Sequence, residues 1–521
     1  MESYWQKHEV VRLHQILYRC LTFIMLFVTC PVVLAGNWLI EPSLSLTGII
    51  TDNLMLAPPG QEFRGYVGRA VPSISVQGTG NRASLDAYYQ MENLTYPNRD
   101  KIFRNSTTYH QANASGNIEL ARDLFFLKGA GRFYQETLSP DDRISYDNIN
   151  PVGNKGNILS LTLTPYIKHD FGTKMHVDAL YERGHVDSRA TGGQFDADTN
   201  RYQFRIDNHL SSSLYNWEIN YQKLNEKRAT IANTSQESAY ASLYYRIADN
   251  LSVLIRNRYE NNDIHTSRNI VNGNWLGAGI LWEPGSKLSL EAIYGNRGRE
   301  ADIKWRPNAR TTANLAYNNK DIGLNPGVSW SMDLAYRMRR SAINISYFEE
   351  VTSYQYLQLQ QGNQIPLLDI AGNPVVDPVT NLPLYTVDQI LGLTNENFLR
   401  ENGTISMSYK TRRVDMSLSV YAESRKYEQT IDVERIYGVN AAWKWHFSKT
   451  MNLLLQGEGQ RRKKDTDLSG DNFGVARLAL TRRLSQTLSG AVEARYTRRD
   501  AMQTDLDFIE KRFMVSIIQQ F

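Results

Sequence analysis

The chain predicts an all-β fold, a single transmembrane antiparallel up-and-down β-barrel of about 20–24 strands preceded by a cleavable signal peptide. Three observations carry this. From Ser43 onward, segments of about ten residues alternate apolar with polar positions and are separated by clusters of Gly, Asn, Asp, Pro and Arg. Beyond the first residues no stretch approaches the ~20 apolar residues of a membrane-spanning helix. The chain's 41% hydrophobic residues and mean hydropathy of −0.46 also suit a barrel, which hides its apolar residues at every second position and so reads as a soluble protein on average.

The alternation is clearest in three places. Leu159, Leu161, Leu163 and Ile167 alternate with Ser160, Thr162, Thr164 and Lys168. Met175, Val177, Ala179 and Tyr181 oppose Lys174, His176, Asp178 and Glu182. Tyr437, Val439, Ala441, Trp443, Trp445 and Phe447 oppose Asn440, Ala442, Lys444 and His446. The second face is polar, as expected where one side meets lipid and the other a watery lumen. Tight connectors are expected at 170–174, 248–250, 283–287, 411–413 and 482–486, and longer polar ones at 136–157, 184–200, 261–274 and 463–472. Short periplasmic turns and long outer loops are the usual polarity of such barrels. Tyr202, Phe204, Tyr215, Tyr245, Tyr259, Trp282, Tyr294, Trp305, Trp330 and Tyr336 fall toward strand ends, where amphipathic rings settle at the headgroup level.

The N-terminal residues read as an export signal over residues 1–35. Lys7, Arg12 and Arg19 precede an apolar run from Leu21 to Leu34, and Val33 and Ala35 place the expected cut between Ala35 and Gly36. Both cysteines, Cys20 and Cys30, lie in that leader, so residues 36–521 can form no disulfide and carry no thiolate metal site or thiol nucleophile. At the other end Phe513, Val515, Ile517 and the terminal Phe521 share one parity, which resembles the signal that the barrel-assembly machinery reads in its clients. The expected location is the outer membrane of a Gram-negative bacterium, in contact with its lipid and lipopolysaccharide. The net charge of +4 is nearly balanced and contains no basic run that would argue for nucleic acid.

One stretch breaks the rhythm. Between 351 and 398, Pro366, Pro374, Pro378 and Pro383 are too closely spaced for a strand, while Ile365, Leu367, Leu368 and Ile370 argue against disorder. This loop is expected either to constrict the lumen or to cap the mouth, with a short helix at 388–393.

The segments Glu41 to Asn53, Ala70 to Tyr96 and Ala112 to Pro140 resemble the opening of the PEP-CTERM-system-associated outer-membrane protein family. The likeness rests on Pro42, Ser43, Thr51, Asp52 and Asn53, and on Gly116, Asn117, Glu119 and Leu120. It implies a barrel linked to exopolysaccharide, with no catalytic residues and no cofactor, working with periplasmic export components.

No enzymatic constellation appears. His176 and Asp178 share a strand face but no Ser motif pairs with them, and no His set has metal-ligand spacing. Asp141, Asp142 and Asp147 are the one candidate for a calcium loop. Candidate lumen-facing groups are Arg205, Arg256, Arg258, Asp178, Glu182 and Asp207, which together give a mixed lumen and not a strongly anion-selective one. The arginine pairs 339–340, 412–413, 482–483 and 498–499 are expected at solvated rims. Strand-like alternation begins so close to the expected cut that neither an N-terminal plug domain nor a large passenger is expected. Three readings stay open: a passive channel or assembly component for exopolysaccharide export, a general or substrate-selective porin, and a structural or adhesive surface barrel without an open pore.

Overall fold

The computed structural model describes residues 36–97, 106–190, 193–208, 214–229, 232–264, 270–360, 394, 396–430, 432–466 and 470–521. The expected leader, including Ala35, and the stretch 361–393 with its expected short helix lie outside these residues. Twenty-four antiparallel strands close into one ring, from Gly36–Thr51 to Phe508–Gln520. A further two-residue strand, Gly193–Gln194, folds back on the end of Met175–Ala190 only, and that strand pairs directly with Ala197–Asp207.

Closure is made by the first strand. Gly36–Thr51 pairs along its whole length with Gly65–Gly80, and its second half, from Ser43, pairs with Arg512 to Gln520. Ile50 stands opposite Phe513 on the outside of this seam. On the inside, the Thr47 and Ser516 hydroxyls lie 2.9 Å apart and the Thr51 hydroxyl donates to Glu510 at 2.7 Å. An even strand number is what allows the last pairing to be antiparallel like the rest. With no free edge, the ladder satisfies the backbone groups that lipid cannot.

The period-two pattern sorts the side chains. Leu46, Ile50, Tyr437, Val439, Leu478, Phe513, Val515 and Ile517 are exposed on the outside, whereas Thr47, Thr51, Asn440, Arg477, Arg512 and Ser516 are buried on the inside. So large an apolar surface far exceeds the few hundred Å² that a water-soluble monomer tolerates, so the outer face requires lipid. No helix among the described residues is long and apolar enough to cross a membrane. The aromatics follow the same logic: Tyr215 packs on Tyr245 at 5.2 Å between centroids, and Tyr317 on Trp330 at 4.6 Å.

Connectors differ at the two ends. The end that carries Gly36 and Phe521 has turns of two to four residues at 81–82, 122–124, 172–174, 249–250, 411–413 and 484–487, and one of seven at 208–214. Gly172 adopts φ +62° in its turn, a conformation costly for a residue with a Cβ. The opposite end carries 52–64, 138–154 and 354–396. The expected alternation of short and long connectors holds at these positions, but 184–200 is not a long connector: Met175–Ala190 and Ala197–Asp207 extend into it and pair there, and the same end of the barrel carries a two-residue turn at 296–297. Strand Ser341–Ser353 runs further than the sequence suggested, and the Pro-containing loop begins at Tyr354 with a short helix, Tyr354–Leu359, that the sequence reading did not foresee.

Substituting Leu478, mid-strand on the outer face, by Arg is expected to destabilise the barrel by about 2–4 kcal/mol in a bilayer, the cost of a cation at the midplane. Leu478→Phe should cost far less. Equilibrium unfolding in vesicles compares the two, and equal stability of both variants would refute the lipid-facing assignment.

Candidate functional site: a charge-paired lumen with an inward loop

The inner wall is lined by ion pairs, because a guanidinium held away from bulk water is stable only beside carboxylates. Glu423 receives Arg425 at 2.6 Å and Arg400 at 2.9 Å, and Arg425 continues to Glu434 at 3.3 Å. Glu434 also meets Arg462 at 3.1 Å, and Asp471 meets Arg499 at 2.7 Å. Glu493 bridges Arg477 and Arg495, each at 2.7 Å, and Glu510 holds Arg512 at 2.9 Å. Arg425 is 0% and Arg499 1% exposed.

The six candidate lumen-facing residues stand on this inner wall but not in one place. Asp178 lies opposite Arg205, which pairs with Asp207 at 3.0 Å and Glu218 at 3.4 Å. Glu182 lies opposite Arg201 and accepts from the Thr164 hydroxyl at 3.3 Å. Arg256 and Arg258 belong to a second group: Arg256 meets Glu291 and Glu300, both at 2.9 Å, and Arg258 meets Glu300 at 3.0 Å, with Lys320 at 2.8 Å from the same carboxylate. Phe513, Val515, Ile517 and Phe521 face outward.

Sequence reasoning missed the larger set, and a signal for it was present. Glu226 and Arg228, Glu423 and Arg425, Glu493 and Arg495, and Glu510 and Arg512 repeat one spacing, acid then arginine two residues on. In a strand that spacing places both on one face within reach of each other. One expectation needs correcting. Arg499 is not at a solvated rim: it donates to Asp471 and to the Pro140 carbonyl inside the barrel, while Arg498 beside it is exposed and pairs with Asp500.

The loop 138–154 turns inward and fastens to this wall. Asn154 closes its base, donating to the Ser139 carbonyl at 2.6 Å and accepting from the Ser139 amide at 2.9 Å. Two isoleucines anchor it. Ile149 packs among Ile49, Leu54, Val67, Leu94, Tyr96 and Met514, and Ile144 among Leu56, Phe473, Val475 and Phe508. This explains Met514, an apolar residue on the polar parity of the last strand: it serves the loop. Between the isoleucines, Asp147 accepts from Arg495 at 2.7 Å and from Arg512 at 2.5 Å. Asn150 donates to Glu510 at 3.0 Å and accepts from Arg512 at 2.6 Å, and Asn148 donates to Glu92 at 2.9 Å. Asp141 pairs with Arg462 and, at 2.9 Å, with Lys464.

These contacts set the loop's electrostatics. Burial works to raise the Asp147 carboxyl, but Arg512, Arg495 and Lys155 outweigh it and hold the group well below the usual carboxylate range. Asp141 is lowered in the same way, burial being outweighed by Lys464 and Arg462. Two of the three aspartates that suggested a calcium loop, Asp141 and Asp147, are thus engaged by protein cations, and among the described residues no group of three or more acidic, His or Cys side chains is placed to hold a metal.

A second inward element is the helix Tyr354–Leu359. Tyr354 packs with Ile158 and Val186 on the inner wall, and the Ser160 hydroxyl donates to the Gln358 carbonyl at 3.2 Å. Its N-cap, Ser353, donates to Glu226 at 2.8 Å.

No family model matches the chain, and no curated protein does. Among solved structures, the siderophore receptor PirA from Acinetobacter baumannii is similar at 9% identity, with 92% of this chain and 80% of that chain covered and a TM-score of 0.44. The apoprotein form of the FrpB iron transporter from Neisseria meningitidis, F5-1 variant, is similar at 12% identity, with 94% and 82% covered and a TM-score of 0.45. Likeness at that level carries no argument, and the barrel stands on its own strand pairing.

Asp147→Ala is expected to free the loop and raise trypsin cleavage after Arg143 by roughly tenfold, as the open population grows. Because the native Asp147 carboxyl is depressed, its contribution is complete above the ordinary carboxylate range and is lost only as pH falls through its own low value. Pepsin digestion of the native protein should therefore spare the loop at about pH 4, where a free aspartate is half protonated. Cleavage of the loop already at that pH would contradict the ion-pair assignment.

Proposed function

We propose that the chain is an outer-membrane conduit for a polar, hydroxyl-rich solute, held shut at rest by the 138–154 loop. Exported exopolysaccharide is the substrate class that the N-terminal resemblance implies, with periplasmic export components as partners. One observation carries the closed-conduit reading: the loop is bound to the lumen wall by two apolar anchors and by aspartates shared between paired arginines, so it is part of the barrel's packing and not a surface appendage. The balanced wall supports a near-neutral cargo, since Arg400, Arg425, Arg462, Arg477, Arg495, Arg499 and Arg512 each already have a carboxylate and neither sign dominates. Tyr240 and Tyr244, which donate to Glu218 at 2.8 Å and Glu291 at 3.1 Å, add hydroxyls of the kind that exchange hydrogen bonds with sugars.

The same anchoring favours a second reading, a surface barrel whose lumen is permanently filled. Planar-bilayer recording separates the two. The native protein should be nearly silent, and removal of residues 141–150 should produce stable conductance blocked by soluble polysaccharide. A deletion variant that stays silent while correctly inserted would establish the filled barrel. Large conductance from the native protein, insensitive to loop variants, would instead indicate a general porin.

A further inference from the structure

Arg495 and Arg512 stand directly opposite each other on the last two strands, with roughly 5 Å between their backbones. Each has a glutamate two residues before it on its own strand, and that spacing orients the guanidinium. Arg495 donates through Nε and Nη2 to Glu493 at 3.1 and 2.7 Å, and Arg512 donates through Nε and Nη2 to Glu510 at 3.2 and 2.9 Å. The remaining end of each guanidinium, Nη1, is left for the lumen. Both Nη1 groups converge on a single atom, Oδ2 of Asp147, at 2.7 and 2.5 Å.

Two charged donors aimed at one point make a seat for an oxyanion, and the strands build it without the loop. The orienting glutamates belong to the wall. A third guanidinium, Arg477, lies opposite Arg495 and meets Glu493 at 2.7 Å, so Glu493 and Glu510 serve three arginines and the loop adds Asp147. Two other charged groups face this spot. Glu458 accepts from Gln456 at 2.5 Å and from the Tyr146 hydroxyl at 3.4 Å, and Lys155 donates to the Asp147 carbonyl at 2.7 Å.

Asp147 fills the seat incompletely. Only Oδ2 reaches the arginines, because Oδ1 accepts from the Ile149 amide of its own loop at 3.0 Å. Its side chain also remains 24% exposed, which leaves a path for a competing group. A carboxylate free of the loop brings both oxygens to the arginines. We infer that the Arg495 and Arg512 pair is a binding site for an oxyanion such as the carboxylate of an acidic sugar, that Asp147 occupies it as a tethered stand-in, and that competition there releases the 138–154 loop. A cargo near-neutral on average needs only an occasional acidic residue to present such a group. The consequence, an opened pore, rests on the closed-conduit reading.

The test uses the refolded full chain in detergent with trigalacturonate as the probe, its methyl ester as the uncharged match and sodium sulfate as a free oxyanion, all at one ionic strength set with sodium chloride. Saturating trigalacturonate should raise trypsin cleavage after Arg143 by about tenfold, and the ester and chloride should not. By calorimetry, D147N should bind trigalacturonate roughly tenfold more tightly than the native chain, since no internal competitor is displaced. D147N/R495Q/R512Q should lose that binding, with heat-modifiable electrophoretic mobility reporting that the barrel is folded. A purely structural ion pair gives no gain in D147N. Sulfate acting as well as the oligomer assigns the seat to free oxyanions too, and the oligomer acting alone assigns it to the cargo. Equal binding of the ester, no gain in a folded D147N, or unchanged cleavage of the native chain would each overturn the inference. Loop release without bilayer current would uphold it and sink the conduit reading, whereas current from the 141–150 deletion with a loop that no oxyanion releases would do the reverse.

Discussion

The whole architecture depends on one constraint: a backbone amide or carbonyl facing hydrocarbon must find its partner within the protein. A strand can do this only between two neighbours, so a sheet in lipid has no tolerable edge. Here the requirement falls on the pairing of Ser43–Thr51 with the last strand, which turns a sheet of 24 strands into a ring. Everything else follows from closure. It makes an inside and an outside, and it converts period-two alternation along each strand into two surfaces of opposite character.

The inside poses its own problem, since a ring of this size encloses more volume than wall side chains fill. The chain answers it by folding its own connectors inward. The 138–154 loop brings Ile144 and Ile149 to apolar hollows and Asp147 to a pair of arginines, and the helix Tyr354–Leu359 covers another sector with Tyr354. Elsewhere Trp275 fills space, lying over Gly277 and Gly295 among Leu254, Ile293 and Ile322; a Cβ on Gly295 would stand 2.5 Å from the indole. Paired charge is a fitting lining for such a cavity. Each Arg–Glu contact is directional and fixes a side chain that would otherwise sample the lumen.

Much of this was legible beforehand, for a physical reason. The alternation at Leu159–Lys168 or Tyr437–Phe447 depends only on which side of a pleated strand a residue occupies, so faces are read without knowing neighbours. The tight turns were visible for the same local reason. The Glu-x-Arg repeats were equally local and went unread, because lumenal charges such as Arg205 and Asp178 were weighed singly and acid–arginine spacing along a strand was not. Met514 is an apolar residue on the polar parity of the last strand. It proved to be the floor beneath Ile149, a residue 365 positions earlier, and no local rule could have linked them.

By itself, then, the sequence determined the all-β class, the two faces of each strand, the end at which the turns are short, and the balanced character of the lumen. These are properties of a residue and its near neighbours along the chain. Tertiary structure alone decided the register of closure, the count of 24, which carboxylate meets which arginine, and that the loop at 138–154 turns inward where aspartates had suggested a cation site. Those outcomes are set by strands far apart in sequence meeting around a ring, where the energy of a buried charge depends on its partner and not on its place in the chain.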